Sequence, residues 1–146
     1  MRVLVTGGAG YIGSAVAEEL LHGGHEVVVY DSLAKGHRDA VPPGATFVHG
    51  DLGDGQLLRE TLRRGRVEAV VHMAADSLVG ESIADPAKYY ANNVGNGLAL
   101  LDAMRTQGWA PRGVRRRGKE MEMTRDHLAK RLGRAPRVGE VALALQ

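Results

Sequence analysis

Cysteine is absent from this 146-residue chain, which excludes disulfide bonds, thiolate metal sites and a cysteine nucleophile. The six histidines lack metal-ligand spacing, so no metal site is predicted. No apolar run approaches the roughly eighteen residues of a membrane span, and the first six residues lack the apolar core of a secretory signal. These absences predict a cytoplasmic protein without a membrane partner.

Charge divides the chain into two parts. Residues 1–109 hold 9 Lys/Arg against 13 Asp/Glu, a net charge of −4, whereas residues 110–146 hold 10 against 4, a net charge of +6. We therefore expect a domain at 1–109 and a separate basic tail at 110–146.

The stretch VLVTGGAGYIG at 3–13 is the most informative motif. A short apolar run predicts a buried strand, and four glycines follow it, three of them in the pattern G-x-G-x-x-G, ahead of a helix predicted to begin near Tyr11. A diphosphate can accept hydrogen bonds from backbone N–H groups only where no Cβ intervenes, and a helix N-terminus adds unpaired N–H groups. The motif predicts nucleotide binding.

A second strand, Glu26 to Tyr30, ends in Asp31, which lies 21 residues after Gly10. Dinucleotide sites place a carboxylate near this distance to accept hydrogen bonds from a ribose hydroxyl. The alternative is a structural glycine turn followed by an ordinary acidic residue. The combined spacing favours a dinucleotide.

Further strands are predicted at Thr46–His49 and Val67–Met73, and they alternate with helices. Asp54 and Asp85-Pro86 are expected to begin two of these helices. This alternation predicts an α/β fold with a parallel, doubly wound sheet of about four strands, a partial Rossmann fold.

The last helix of this part is expected to bury one apolar stripe, formed by Tyr90, Val94, Leu98 and Leu101. Gly95 and Gly97 lie inside the same helix, where each costs about 1 kcal/mol relative to alanine. We therefore expect the sheet or a ligand to approach the helix closely at these two glycines.

Five segments resemble the start of the nucleotide-sugar epimerases of the extended short-chain dehydrogenase/reductase superfamily, the UDP-glucose 4-epimerase family above all. They are VLVTGGAGYIGS at 3–14, HEVVVYDSLAKGHRDAVP at 25–42, FVHGDLGD at 47–54, VVHMAADSLVGES at 70–82 and DPAKYYANNVGNGLALLDAM at 85–104. The resemblance implies NAD as the cofactor. It implies contacts with the diphosphate (Gly7, Gly10, Tyr11, Ile12, Gly13), the adenosine ribose (Asp31, Ser32), the adenine (Asp51, Leu52) and the nicotinamide half (Ala74, Ala75), with Asn93 on the cofactor side of the long helix.

The chain departs from the family at several positions. The family often has lysine where this chain has Ser77, and asparagine at the positions of Ser32 and Lys35. It continues with a fifth strand, a catalytic Tyr-x-x-x-Lys pair and a sugar-nucleotide-binding domain. None of the four tyrosines here has lysine four residues later, so no catalytic residue is assigned and the chain alone is expected to lack epimerase activity.

Residues 111–116, PRGVRR, resemble the approach to that fifth strand, and the resemblance ends near Arg117. The tail beyond it predicts two helices separated by the breaker Gly133-Arg134-Ala135-Pro136, the first with Met121, Leu128 and Leu132 on one face. Residues 127–146 also resemble a segment of bacterial sigma factors. The alternatives are a solvated basic tail and a product of a shifted reading frame.

Two functions remain open at this point. The chain is either the NAD-binding half of an epimerase, or a fusion or regulatory module whose basic tail contacts DNA or a transcription partner. In a sheet of four strands the fourth would be an open edge. We therefore expect self-association through that strand or pairing with a complementary chain.

Overall fold

A computed structural model of the protein describes residues 1–107 and 112–137, together with Glu140 and Ala144, the side chains of residues 112–119 and 122 excepted. The chain folds into two compact units, Met1–Gly108 and Trp109–Gln146. The elements follow in the order β1 (Arg2–Thr6), α1 (Tyr11–His22), β2 (Glu26–Asp31), a 3₁₀ turn (Arg38–Ala40), β3 (Thr46–His49), α2 (Gly55–Arg64), β4 (Ala69–His72), α3 (Val79–Ala84), α4 (Pro86–Tyr90), a π-helical segment (Ala91–Asn96), α5 (Gly97–Thr106) and α6 (Arg112–Leu132).

The four strands form one parallel sheet in the order β3-β2-β1-β4. Thr6, the last residue of β1, pairs with Tyr30 of β2 and with His72 of β4, so these three strands end at one edge of the sheet. The predicted doubly wound α/β fold is confirmed. The glycine motif leaves this edge directly after β1, and Asp31 ends β2 at the same edge.

Apolar side chains cover both faces of the sheet. On one face Val5 and Val29 pack with Ala17 of α1. On the other, Leu4 packs with Leu58 of α2, and Leu100 of α5 joins the same cluster. Successive strand residues point to opposite faces, so alternate residues of β1 enter the two clusters. Helices on both faces explain why β1 and β2 contain almost continuous apolar residues.

Two helix starts follow the sequence signals. The Asp54 carboxylate accepts a hydrogen bond from the Leu57 N–H at 3.0 Å at the start of α2. The Asp85 carboxylate accepts one from the Lys88 N–H at 3.1 Å at the start of α4, with Pro86 in the first position. Each carboxylate satisfies an N–H group that has no partner within its helix. Both predicted caps are confirmed.

The predicted buried stripe of the long helix is wrong. Tyr90 is 72% exposed, Val94 51%, and Leu98 and Leu101 61% each. Residues 86–106 carry two apolar stripes, and the other one is buried, because Leu100 and Ala103 of α5 pack in the same cluster as Leu58 and Leu62 of α2. The sheet does not approach the helix at these two glycines, since among the described residues no atom outside the adjoining helix backbone lies within 4 Å of a Cβ built on Gly95 or Gly97. A ligand close to these glycines stays a prediction.

The segment that resembles the approach to a fifth strand is helical from Arg112 onward, because α6 begins there and continues to Leu132. This stretch has many good helix formers and few β-branched residues, so local propensity favours a helix. The helix ends at the predicted breaker, where Gly133 has a φ of +67°. The second predicted tail helix lies largely outside the described residues.

Candidate dinucleotide-binding site

The glycine loop turns sharply between β1 and α1. Gly7 has a φ of +69°, and a Cβ built there would lie 2.6 Å from the Ala74 backbone nitrogen. A Cβ on Gly13 would lie 2.0 Å from the Gly7 carbonyl oxygen. Both neighbours are backbone atoms that cannot rotate away, so these two positions require glycine for different reasons: one for its turn and one for helix packing.

Helix α1 begins at Tyr11, within the glycine motif and directly after the turn. Gly10 is its N-cap residue, and the Ser14 N–H donates the first helical bond to the Gly10 carbonyl at 2.9 Å. The N–H groups before Ser14 have no acceptor within the helix, which leaves the first turn open to an anion. Tyr11 and Ile12 are 96% and 64% exposed. The sequence therefore provides an anion-binding geometry at the carboxyl edge of the sheet.

Asp31 ties the glycine loop to β2. Its Oδ2 accepts a hydrogen bond from the Ala9 N–H at 2.9 Å, and its Oδ1 accepts one from the Leu33 N–H at 2.8 Å. The residue is 8% exposed. Each carboxylate oxygen keeps a further lone pair, so these bonds are compatible with additional hydroxyl donors. The carboxylate thus positions the loop as well as marking the end of β2.

Two features of the neighbouring loop escaped the sequence analysis. Leu33 has a φ of +58°, a left-handed conformation that costs an ordinary residue about 1–2 kcal/mol. His49, the last residue of β3, lies with Nε2 3.0 Å from the Ser32 carbonyl oxygen. Single-residue patterns gave no signal for either feature, because both depend on contacts made by the folded loop.

The predicted adenine contacts lie after β3. The Asp51 carboxylate forms a hydrogen bond within its own loop, in which Oδ1 accepts from the Gly53 N–H at 2.7 Å. Its carbonyl oxygen accepts the Tyr30 hydroxyl at 2.9 Å. Leu52 is only 5% exposed and its side chain belongs to the core cluster around Leu4, so its backbone alone remains for a ligand.

The segment after β4 lies on the other side of the glycine loop. Ala74 contacts Gly7 as described, and Ala75 is exposed. Asn93, in the π-helical segment, donates from Nδ2 to the Asp76 carbonyl at 2.9 Å and accepts the Asp76 N–H at its Oδ1 at 2.8 Å. Asn93 therefore fixes the path of this segment through two backbone hydrogen bonds.

Neither Tyr30 nor Tyr89 offers a catalytic base near neutral pH. Burial raises the pKa of Tyr30 to about 12, with the nearby carboxylates of Asp54 and Asp51 adding to the shift. Burial also raises the pKa of Tyr89, whose hydroxyl donates to Glu81 at 2.9 Å. Both hydroxyls stay protonated near neutral pH.

Comparison with known proteins decides the family. The sequence profile of the NAD dependent epimerase/dehydratase family matches residues 3–115. The chain belongs to this family. This epimerase-family chain is 50% identical over 108 residues to the UDP-glucose 4-epimerase of Corynebacterium glutamicum, covering 74% of its own length and 32% of that protein.

Solved structures agree with the profile. The UDP-glucose 4-epimerase from Brucella ovis in complex with NAD matches with a TM-score of 0.72 and 50% identity, over 74% of this chain and 33% of that one. The Thermus thermophilus UDP-glucose 4-epimerase complex with NAD matches with a TM-score of 0.71 and 46% identity, over 74% and 35%. The epimerase-family chain therefore spans about a third of the length of these relatives. The predicted membership of an NAD-dependent epimerase family is confirmed.

The comparisons do not extend to most of the basic tail. The family match ends at residue 115, and the sigma-factor resemblance of 127–146 and its DNA-binding interpretation stay predictions. No helix in the described part of this epimerase-family chain is long and apolar enough to cross a membrane. Among the described residues, no three His, Asp or Glu side chains are grouped so that they could hold a metal ion.

Proposed function

We propose that residues 1–109 are the NAD-binding part of a UDP-glucose 4-epimerase-like nucleotide-sugar epimerase. The observation that carries the proposal is the approach of Gly13 to Gly7, where backbone meets backbone without room for a Cβ. Because of this approach, the free N–H groups in the first turn of α1 converge just beyond the carboxyl edge of the sheet. Membership of an NAD-dependent family and the NAD in two related crystal structures support the same interpretation.

In this proposal the diphosphate lies on the glycine loop and the first turn of α1. The Asp31 carboxylate and the Ser32 hydroxyl hold the adenosine ribose, and Asp51 with the backbone of Leu52 lies beside the adenine. The donor set fits the ligand, because N–H groups face an anion and a carboxylate faces hydroxyl donors.

The nicotinamide half lies along Ala74 and Ala75, two small residues at the end of β4. Asn93 acts on this half indirectly, since its two hydrogen bonds fix the backbone of Asp76. NAD, when bound, supplies a hydride acceptor at its nicotinamide ring. The residues of this chain bind and orient it.

Calorimetric titration of NAD into the purified 146-residue chain tests the proposal. We expect one saturable site per chain. A chain that melts cooperatively but gives no saturable heat with NAD would contradict the proposal.

The chain by itself is expected to give no turnover of UDP-galactose to UDP-glucose. A sugar hydroxyl must lose its proton to a base, and none of the four tyrosines is followed four residues later by the lysine of the family's catalytic pair. The measurement is a coupled assay on protein purified from a host that lacks its own epimerase, with a full-length UDP-glucose 4-epimerase as the positive control. Turnover above the blank would show that the base lies elsewhere in the chain.

We also propose that the chain self-associates through β4. Among the described strands, β4 pairs with β1 alone, so its other edge presents unpaired N–H and C=O groups. Sedimentation velocity is expected to show a weight-average mass that rises with concentration. Leu98→Glu is the control, because it changes an exposed side chain of α5 and leaves the edge of β4 intact. A monomer at every concentration would contradict the proposal, and so would association that Leu98→Glu abolishes.

A further inference from the structure

A charged cluster joins the two sides of the proposed cofactor site. Lys35 follows β2 and reaches residues that follow β4, with Nζ 2.6 Å from Glu81 Oε2 and 3.3 Å from Asp76 Oδ1. Lys35 and Glu81 are 46 residues apart in the sequence. The link therefore comes from the fold and not from neighbouring residues.

The path of this link is set by the strand order. Since β1 lies between β2 and β4, a side chain that joins the segments after those two strands crosses the end of β1. Two strand spacings amount to about 10 Å, and the glycine loop leaves the sheet within that interval. Lys35 consequently bridges the carboxyl edge at the glycine loop.

The backbone around Lys35 is attached to the glycine loop. The His37 N–H donates to the Ala9 carbonyl at 2.9 Å, and a Cβ on Gly36 would lie 3.0 Å from the same residue. On the other side, Asn93 fixes Asp76. Hydrogen bonds therefore hold the backbone in place at both ends of the ion pair, next to Lys35 and at Asp76.

Glu81 is held from several directions. Besides Lys35, it accepts hydrogen bonds from Lys88 Nζ and from the Tyr89 hydroxyl, the latter at 2.9 Å. The hydrogen bond from Lys35, followed by those from Lys88 and Tyr89, lowers the pKa of Glu81 to about 2. The carboxylate is therefore ionised and oriented at any pH near neutral.

We propose that Lys35 is a strap that fastens the loop after β2 to α3 across the diphosphate of a bound dinucleotide, with Glu81 as its anchor. The inference rests on the proposed function, because only a ligand that extends from Asp31 to Ala74 passes the contact between Lys35 and Glu81. The ammonium group has three N–H donors, and two carboxylates take two of them, so one is left for a diphosphate oxygen. Lys35 contacts the dinucleotide directly in this proposal, Glu81 is the positioning residue that holds it, and the strap slows the release of dinucleotides but not of mononucleotides.

The test compares wild type, Lys35→Met and Glu81→Gln, with NAD and AMP as the two probes and dissociation rates measured by stopped flow. Both variants are expected to release NAD about three- to fivefold faster than wild type, in keeping with a partly exposed ion pair. AMP reaches only the adenosine side, so its release rate is expected to stay unchanged. Lys88→Met is the matched control: it also removes a cation from Glu81, but one that comes from the neighbouring α4, and its effect is expected to be below about twofold.

The sign of the Glu81→Gln effect separates the strap from simple charge attraction. Removing a negative charge near an anionic ligand would tighten NAD binding if only the net field mattered, whereas loss of the anchor weakens it. Tighter NAD binding in Glu81→Gln, unchanged NAD release in both variants, or an equal change for AMP would each overturn the strap. Absence of NAD binding in wild type would overturn the proposed function itself. Thermal melts of all four proteins are expected to agree, because the substituted side chains are partly exposed.

Discussion

Replacing Gly13 by alanine is expected to abolish measurable NAD binding and to destabilise the Met1–Gly108 unit. The new Cβ would lie 2.0 Å from the Gly7 carbonyl oxygen and 2.8 Å from its carbonyl carbon, so the first turn of α1 has to move away from the loop. Overpacking of this kind costs about 1–3 kcal/mol, and contact with backbone places this case at the upper end. Urea unfolding gives the stability change, and calorimetry gives the loss of NAD affinity.

Gly97→Ala is the matched control for this experiment. Among the described residues no atom outside the adjoining helix backbone lies within 4 Å of a Cβ at that position, and Gly97 begins α5 in a helical conformation. Alanine is expected to leave NAD binding unchanged and to stabilise the protein by up to about 1 kcal/mol. A Gly13→Ala protein that unfolds and binds NAD like wild type would show that the close approach of α1 to the loop does not create the site.

Asp31→Ala is expected to weaken NAD binding strongly and to narrow the preference for NAD over NADP. The change leaves the buried Ala9 N–H without its acceptor, which costs about 1–3 kcal/mol of stability and loosens the glycine loop. In the proposed site the carboxylate lies where NADP would carry its 2′-phosphate, so the wild type is expected to prefer NAD. Two like charges about 4 Å apart repel by about 1 kcal/mol in water and about 4 kcal/mol at an effective dielectric constant of about 20.

Parallel titrations of NAD and NADP into wild type and variant measure both effects. Asp39→Ala is the control, because it removes the same charge from an exposed position in the 3₁₀ turn. Its NAD affinity is expected to match wild type within about twofold, as for most surface substitutions. Tighter binding of NADP than of NAD to wild type would contradict the assigned role of Asp31.

Local signals in the sequence were sufficient for the sheet. The β-branched run before Asp31 predicted β2, and the glycine motif predicted the junction of β1 and α1. Both signals depend on a few adjacent residues and on the backbone conformations they allow. For the same reason the caps Asp54 and Asp85 could be read directly from the sequence.

The choice between two apolar faces could not be read from the sequence. Leu98 and Leu100 lie on different stripes of the same helix, and only the position of α2 determines that Leu100 is buried. The short helix α3 was missed, because VGESIA lacks the length and apolar periodicity that predict a helix. The first failure concerns a partner that is distant in the sequence, and the second a local signal that is too short to recognise.

In the candidate site, too, local features could be predicted from the sequence, whereas contacts between distant segments could not. The sequence identified Asp31 by its spacing from Gly10, but the two N–H groups that its carboxylate holds become visible only in the folded loop. In the sequence alone, Lys35 is notable only as a departure from the family pattern. Its contact with Glu81 requires that the loops after β2 and β4 leave the same edge of the sheet.

The most direct measurement is an amide NMR titration of the ¹⁵N-labelled chain with NAD. If NAD binds at the proposed site, the shifts are expected to saturate and to be largest at the N–H groups of the glycine loop and the first turn of α1, with further shifts next to Asp31 and at Ala74. Saturable shifts confined to the opposite edge of the sheet, around Arg2 and His25, would contradict it. So would a folded spectrum that NAD leaves unchanged.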